Sequence, residues 1–341
     1  MNKSNSPHAI LYLEDAGKTH SAGKFLSETL YSYPITIFLN GDLGAGKTTF
    51  LQGFAERLGI SEPVTSPTYA LEQKYRTKTG MDFLHLDLYR LNELDAVKLV
   101  ESTDHHTGIR CIEWAERLPE RMDKSGTIEL QFSEYESGRN LTVTFFDFPL
   151  PTLKQIDDWR AEAMLPAHIT RHCIAVAEVA AMISDHLLKH GHIIRKDAVV
   201  AAAEVHDLFR FVDFHGIPPD GTSETQEELS IWGHWKKRYP EMRHEEACKR
   251  FLVGQGFPEL GTIVETHGLT DTLPEFTTIE QKILFYADKR VMIDKVVSLD
   301  ERFADFRRRY SNNKPTEKGM AWLEATKKVE EELFPEGSPI L

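Results

Sequence analysis

The eight residues Gly41-Asp42-Leu43-Gly44-Ala45-Gly46-Lys47-Thr48 constrain this chain more tightly than any other stretch. They match G-x-x-x-x-G-K-[ST], a loop whose backbone amides cup a phosphate. The flanking residues suit that reading. Ile35-Thr36-Ile37-Phe38-Leu39 is a short, apolar, β-branched run that predicts a buried strand, and a helical pattern opens at Thr48 and stops near Gly59. A strand, a glycine-rich turn and a helix N-terminus together aim several N–H donors and a positive dipole end at one anion. Gly41, Gly44 and Gly46 admit backbone angles and a close approach that a Cβ forbids. Lys47 would reach the terminal phosphates, and the Thr48 hydroxyl would bear on Mg²⁺.

At 341 residues, 41% of them hydrophobic, the chain has room for two domains with separate cores. A net charge of −13 and a pI near 5.6 argue against a direct grip on bare nucleic acid, because phosphate neutralisation dominates such binding. Cys111, Cys173 and Cys248 are widely spaced and odd in number, which favours buried free thiols in a reducing compartment over disulfides or a zinc knuckle. The N-terminus is polar and no apolar run approaches the length of a membrane span, so a cytoplasmic location away from membranes is expected.

Residues 12 to 30 carry a helical pattern and predict the first helix. The segment Pro63-Val64-Thr65-Ser66-Pro67-Thr68-Tyr69 predicts a rigid polar turn, placed like a switch that senses a γ-phosphate. Phe83 to Arg90 alternates as a strand, with Asp87 near its end able to hold a metal or its water. Ile109-Arg110-Cys111-Ile112 predicts a second buried strand, ending in Glu113-Trp114. Acidic residues at the C-terminal ends of neighbouring strands face the crevice where an α/β sheet binds its ligand, which makes Glu113 a metal-shell or water-orienting candidate. His105 and His106 read as solvated loop residues. Thr127 to Phe132 and Leu141 to Phe148 read as a hairpin around Ser137-Gly138-Arg139-Asn140.

The strings GDLGAGKT, VTSPTY, HLDLYR and IEWAER follow one another within the first 150 residues, and in that order they resemble the bacterial TsaE family. The resemblance implies a small α/β P-loop ATPase over residues 1–150, with a mostly parallel sheet flanked by helices, that binds ATP or ADP with Mg²⁺. It implies work with TsaD and TsaB-like proteins in placing threonylcarbamoyl on the adenosine beside a tRNA anticodon, tRNA being touched only indirectly. Carried over by position, Lys47, Asp87 and Glu113 are the expected catalytic residues, and Thr48, Asp87 and Glu113 the expected Mg²⁺ residues. Nucleotide contacts are expected from Gly41, Asp42, Leu43, Gly44, Ala45, Gly46, Lys47, Thr48 and Thr49, together with Thr19, Thr65 and Trp114. Thr65, Ser66 and Thr68 would form the switch. Ala115 departs from the proline of many relatives.

Pro149-Leu150-Pro151 closes this half, since proline cannot extend a strand. From Lys154 the pattern turns helical, predicting a linker over 151–164, an all-α domain over 165–320 and a tail over 321–341. His172 shares a stripe with Val176, Val179, Ile183 and Leu187, and a second helix runs from an Asp197 cap to His206-Asp207. His244 leads Ala247, Phe251 and Leu252; His267 follows Ile263-Val264; Asp288 shares a face with Leu284 and Val291 in what reads as the last long helix. A carboxylate on an apolar stripe is costly unless neutralised, and no Lys or Arg is evidently placed to do it. Several such residues on separate faces imply a shared metal. Ligation by nitrogen and oxygen suits Mn, Fe, Zn, Co or Mg alike.

The order His172, His206-Asp207, Asp288 resembles the HD superfamily of metal-dependent phosphohydrolases. The resemblance implies one or two divalent metals held by His172, His206, Asp207 and Asp288, with His244 and His267 as the added ligands of a two-metal site. His234 is the rival for the His244 position, and His168, His186, His190, His192 and His215 are expected at the surface. Asp207 and Arg210 are the expected catalytic residues here, with Arg210 and Lys289 as phosphate clamps. Phe209 stands where relatives often have glycine, and no tyrosine-proline signature of cyclic-dinucleotide phosphodiesterases is present. The expected whole is a bifunctional protein that joins the ATPase to a hydrolase of a nucleotide or small phosphoester. The alternatives are an ATP-dependent switch with a ligand-sensing second domain, or a di-iron oxygenase.

Overall fold

The computed structural model describes residues 8–119, 125–214, 225–269 and 272–338. Its contacts divide the chain into two units, Met1–Pro149 with Asp185–Lys196, and Leu150–Ser184 with Asp197–Leu341.

The first unit runs β1 (His8–Leu13), α1 (Ala16–Ser27), β2 (Ile35–Asn40), α2 (Lys47–Arg57), β3 (Glu72–Arg76), β4 (Asp82–Asp87), α3 (Glu93–Ser102), β5 (Ile109–Glu113), β6 (Thr127–Tyr135) and β7 (Gly138–Phe145). The seven strands form one sheet in the order β1-β7-β6-β2-β5-β4-β3. β2 pairs in parallel with β5 and β6, and β5 with β4, while the β1–β7, β6–β7 and β3–β4 pairs are antiparallel. All strands except β3 and β7 therefore point one way, the mostly parallel α/β sheet that the sequence predicts.

Helices cover both faces of the sheet, so β2 is buried at every position and its unbroken apolar run has a physical cause. α1 and α2 pack Leu26, Phe50 and Phe54 on one face; α3 packs Ala96 and Val100 on the other. The two helices of the first face touch backbone to backbone. A Cβ on Gly23 would lie 2.0 Å from the Phe50 carbonyl oxygen, and one on Gly53 would lie 1.8 Å from that of His20.

Two local expectations change. The helical reading from residue 12 fails, because residues 8–13 form β1 and the helix starts only after Asp15, whose side chain caps it by accepting from the Lys18 amide. The hairpin turn is tighter than its glycine suggested. Tyr135 pairs with Gly138, so Glu136 and Ser137 alone connect β6 to β7, with Glu136 at φ 51°.

The second unit is helical, as expected: α4 (Leu153–Glu162), α5 (Ala167–Lys189, its last turn counted with the first unit), α6 (Lys196–Val205), α7 (Gln226–Arg238), α8 (His244–Gly254), α9 (Pro258–Glu265), α10 (Ile279–Lys289), α11 (Leu299–Tyr310) and α12 (Glu317–Leu333). A two-stranded turn, Val291–Met292 with Lys295–Val296, follows α10. The expected linker contains α4, closed at its start by a Thr152–Gln155 capping box and burying Ile156 and Trp159. The expected tail contains most of α12, which buries Val329 and Leu333, and α10 is followed by two further helices. Asp197 lies in the first turn of α6 and does not cap it, and His206-Asp207 sit just beyond its end. His215 lies outside the described residues.

Candidate functional site

Each unit gathers one constellation of chemically capable residues. In the first, β2 delivers the chain into the glycine loop with Gly41, Gly44 and Gly46 at φ 133°, 80° and 98°, left-handed angles that only glycine adopts without strain. Gly46 is the N-cap of α2, so the loop ends on the positive end of that helix. The Lys47 ammonium folds over the loop, donating to the carbonyls of Gly41 at 2.5 Å and Asp42 at 3.0 Å, and lies 3.9 Å above the Trp114 ring. Burial lowers its pKa, against the raising effect of Glu113, Glu116, Asp87 and Asp42.

Parallel pairing of β4 and β5 sets Asp87 opposite Glu113, both at the C-terminal edge of the sheet. Glu113 Oε1 accepts from the Thr48 hydroxyl at 3.0 Å and stands 3.0 Å from His85 Nε2. Asp87 accepts from Ser66 at 2.8 Å, from Thr68 at 2.6 Å and from the Tyr89 amide at 2.9 Å. Thr48, Glu113 and Asp87 thus offer oxygen donors at one edge, a set that suits a hard cation such as Mg²⁺. Ser66 and Thr68 of the switch turn reach Asp87, whereas Thr65 is exposed. Thr19 is buried with its hydroxyl committed to the Asp15 carbonyl, and a Cβ on Gly46 would stand 3.2 Å from its methyl. Leu43 is exposed at the loop tip.

Two residues here escape sequence reasoning. His85 is fully buried against Glu113, with its Nδ1 lacking a hydrogen-bond partner among the described residues. Arg139 donates to the Ala45 carbonyl at 2.7 Å, and its Nη1 fills the place of a Gly46 Cβ. The β6–β7 hairpin carries a cation to the phosphate loop across more than 90 residues, which no local pattern reports.

The second constellation lies wholly in the helical unit. His172, His206, Asp207, His244, His267 and Asp288 are all buried and converge. Three overlapping groups, His172/His206/Asp288, His206/Asp207/His267 and His244/Glu245/His267, each bring one donor atom per residue within 4.8 Å of the others. The imidazole orientations follow one rule. Nδ1 of His172, His206 and His267 faces the carbonyl of Ile293, Ala203 and Val264 at 2.9, 2.7 and 2.6 Å, and Nδ1 of His244 faces Asp213 Oδ2 at 2.5 Å. With a proton held at Nδ1 each Nε2 would be free to turn a lone pair on a metal, the outer-shell pattern that orients metal-binding histidines.

Inside, His172 Nε2 is 3.0 Å from Asp288 Oδ1, and His244 Nε2 is 3.0 Å from both Asp207 Oδ1 and His267 Nε2. His206 Nε2, 3.8 Å from Asp207 and 3.9 Å from Asp288, has no hydrogen-bond partner among the described residues despite complete burial. A buried ring nitrogen without a hydrogen-bond partner, standing near two carboxylates, is a place that a cation fits. Burial would raise the Asp207 and Asp288 carboxyls. The surrounding His206, His244 and His267 for the first, and Lys289, His172 and His206 for the second, hold both well below the usual range.

Contrary to expectation, a lysine pairs Asp288. Lys289 Nζ lies 2.6 Å from Asp288 Oδ2 and donates to the His267 carbonyl at 2.5 Å. Neighbours on a helix do not face each other, but this lysine ends α10 and its long stem folds back. Lys289 is therefore committed and not a clamp open to substrate. Arg210 lines the cavity beside the cluster, with Nη1 3.4 Å from Asp213. His244 and not His234 joins the cluster, and His234 is exposed. His168 lines the same cavity, while His192 stacks on Phe25 at 3.8 Å within the first unit, so neither is a plain surface residue. Asp213 and Glu245 are the polar partners of the cluster that sequence reasoning missed.

Residues 13–141 match the family model described as "Threonylcarbamoyl adenosine biosynthesis protein TsaE". A protein of Nostoc sp. named "tRNA threonylcarbamoyladenosine biosynthesis protein TsaE" is 36% identical over 148 residues, covering 42% of this chain and 90% of that protein. One of the same name from Synechocystis sp. is 41% identical over 114 residues, 32% of this chain and 71% of that protein. A solved structure titled "Crystal structure of Bacillus subtilus YdiB" is 27% identical, covering 41% of this chain and 87% of that one with a TM-score of 0.32. The phosphate loop, the hydroxyl-rich turn and the paired strand-end carboxylates all fall inside the matched residues, and through them the chain belongs to the TsaE family.

Proposed function

We propose that this protein joins two activities, an ATPase of tRNA threonylcarbamoyladenosine modification and a metal-dependent phosphohydrolase of the HD type. The first reading rests on family membership together with the Thr48–Glu113–His85 chain of contacts at the mouth of the phosphate loop. ATP or ADP would lie on the Gly41–Thr48 amides and Lys47, with Mg²⁺ near Thr48, Asp87 and Glu113. Ser66 and Thr68, tied to Asp87, would report the γ-phosphate and pass its loss to TsaD and TsaB-like partners. Trp114 would flank the nucleotide. tRNA is touched through those partners, consistent with the charge of −13.

One observation carries the second reading: four imidazoles fixed through Nδ1 turn their Nε2 atoms toward two buried carboxylates, and His206 Nε2 has no hydrogen-bond partner among the described residues. His172, His206, Asp207 and Asp288 would hold one divalent metal, and His244 and His267 would complete a second place with Asp207 shared. Such metals polarise a phosphoryl oxygen and make hydroxide available near neutral pH. The chain's own residues bury the ligand set and orient its rings, and Arg210 places positive charge at the cavity wall.

The test is metal analysis of the full-length protein together with a phosphoester screen in Mn²⁺. Bound metal and phosphate release, both lost in His206→Ala, are the expected results. Turnover that survives in His206→Ala removes the assignment, and bound metal without turnover on any ester leaves the cluster to ligand sensing.

A further inference from the structure

A cavity of about 760 Å³ opens beside the histidine–aspartate cluster, and α11 with the start of α12 builds one wall of it. Arg302 of α11 is the unusual member of that wall. It is 8% exposed, yet among the described residues its guanidinium makes no hydrogen bond. Asp288 Oδ1 and Asp305 Oδ2 stand at 3.9 and 3.8 Å, beyond hydrogen-bond reach, and the Phe306 ring supports the guanidinium plane at 4.4 Å.

A buried guanidinium whose Nε has no hydrogen-bond partner among the described residues, and whose Nη atoms meet carboxylates only at long ion-pair distance, has donors to spare. Its planar fork matches an oxyanion in bidentate geometry better than any other small partner. Two other cations of the cavity wall are held more closely. Lys289 holds Asp288 and the His267 carbonyl, and Arg243 holds Glu245 and the Leu269 carbonyl. The anion that answers Arg302 would also stand next to Asp288, and therefore at the cluster itself.

The same wall carries flat apolar groups. Phe306, Tyr310 and Trp322 all line the cavity, and Tyr310 is 70% exposed at its edge. A bare phosphate or a sugar phosphate has no use for three rings, whereas a nucleobase stacks on them whatever its identity. The volume lies within the usual range of about 300–1,000 Å³ for pockets that enclose a small organic ligand.

We propose that this cavity takes a nucleoside monophosphate, with Arg302 gripping the phosphoryl oxygens beside the cluster and the Phe306–Tyr310–Trp322 wall receiving the base. The inference rests on the phosphohydrolase reading for its consequence, but the binding step does not need the metals.

That separation makes the test discriminating. Calorimetry in EDTA compares adenosine 5′-monophosphate, ribose 5-phosphate and inorganic phosphate on full-length protein carrying Lys47→Ala, which removes the contribution of the phosphate loop. All three probes should bind, the nucleotide most tightly. Arg302→Met should weaken each at least tenfold, and Arg302→Lys, which keeps the charge but loses the fork, should do so with an unchanged circular dichroism spectrum. The double variant Tyr310→Ala/Trp322→Ala should weaken the nucleotide and spare the two smaller probes. Equal affinity for nucleotide and ribose 5-phosphate overturns the nucleotide assignment, and unchanged binding in Arg302→Lys overturns the role of Arg302. His206→Ala should lose its metal and keep nucleotide binding. If it instead keeps metal and turnover, the assignment of the cluster as the hydrolytic site falls while the nucleotide site stands.

Discussion

Replacing Lys289 by methionine would leave the buried Asp288 carboxylate without its one lysine. The pair is 2.6 Å apart and the two residues are 2% and 8% exposed, so solvent offers little compensation. Removing one partner of a buried ion pair costs about 3–5 kcal/mol, because the survivor stays desolvated. His172 Nε2 remains 3.0 Å from Asp288, which points to the lower end of that range. For a unit of this size about 1 kcal/mol moves the melting temperature by roughly 2–4 °C, so Lys289→Met in EDTA should melt about 6–12 °C below the parent.

A double-mutant cycle isolates the interaction. Asp288→Asn removes the charge that needs neutralising, so the Asp288→Asn/Lys289→Met protein should lose clearly less than the sum of the single losses. Saturating divalent metal should raise the melting temperature of the parent and, by a larger margin, of Lys289→Met, since a bound cation supplies the missing countercharge. At a hundredfold excess over the dissociation constant that linkage amounts to about 2.7 kcal/mol. The assay is differential scanning calorimetry with and without EDTA, followed on the transition of the helical unit. Additive losses within about 0.5 kcal/mol, or a Lys289→Met melting temperature equal to the parent's, would refute the reasoning.

Two further outcomes follow from the same geometry. His85→Ala removes the imidazole 3.0 Å from Glu113 and should lower ATP turnover on the order of 10–100-fold while nucleotide affinity, read with a fluorescent ATP analogue, changes little. Asp207 has a depressed folded pKa, so its contribution to stability is fully present above the unfolded value near 3.9 and is lost as pH falls through the folded value. Below about pH 4 the metal-free parent should therefore lose stability more steeply than Asp207→Asn, by up to about 1.4 kcal/mol per pH unit, as read from urea midpoints between pH 2 and 6.

Several elements were legible because their causes are local. The β2 run, the three glycines and the Lys47-Thr48 helix start announce a phosphate loop within fourteen residues, Ile35 to Thr48, and the structure places the positive φ angles on those glycines. The carboxylates Asp87 and Glu113 were legible from strand ends, since parallel pairing in register puts them side by side. β1 was not, because it is an edge strand whose pairing partner, β7, lies more than 120 residues on; Ile10 and Tyr12 point outward, and their apolar character hides the polar alternation that marks a half-exposed strand. The Asp288–Lys289 pair is not legible from spacing, since adjacent residues diverge within a helix and can meet only where it ends.

What the sequence alone determined is the chemistry available: which residues carry imidazole, carboxylate and ammonium, and which short segments must cap, turn or bind phosphate. Only the tertiary structure decided which nitrogen of each histidine faces inward and that the carboxylates nearest Arg302 stand beyond hydrogen-bond reach. Those outcomes depend on backbone carbonyls and carboxylates supplied by distant elements, such as Ile293 for His172 across 121 positions. Hydrogen bonds select a tautomer and an orientation only after packing has brought donor and acceptor together, and packing is a property of the whole chain.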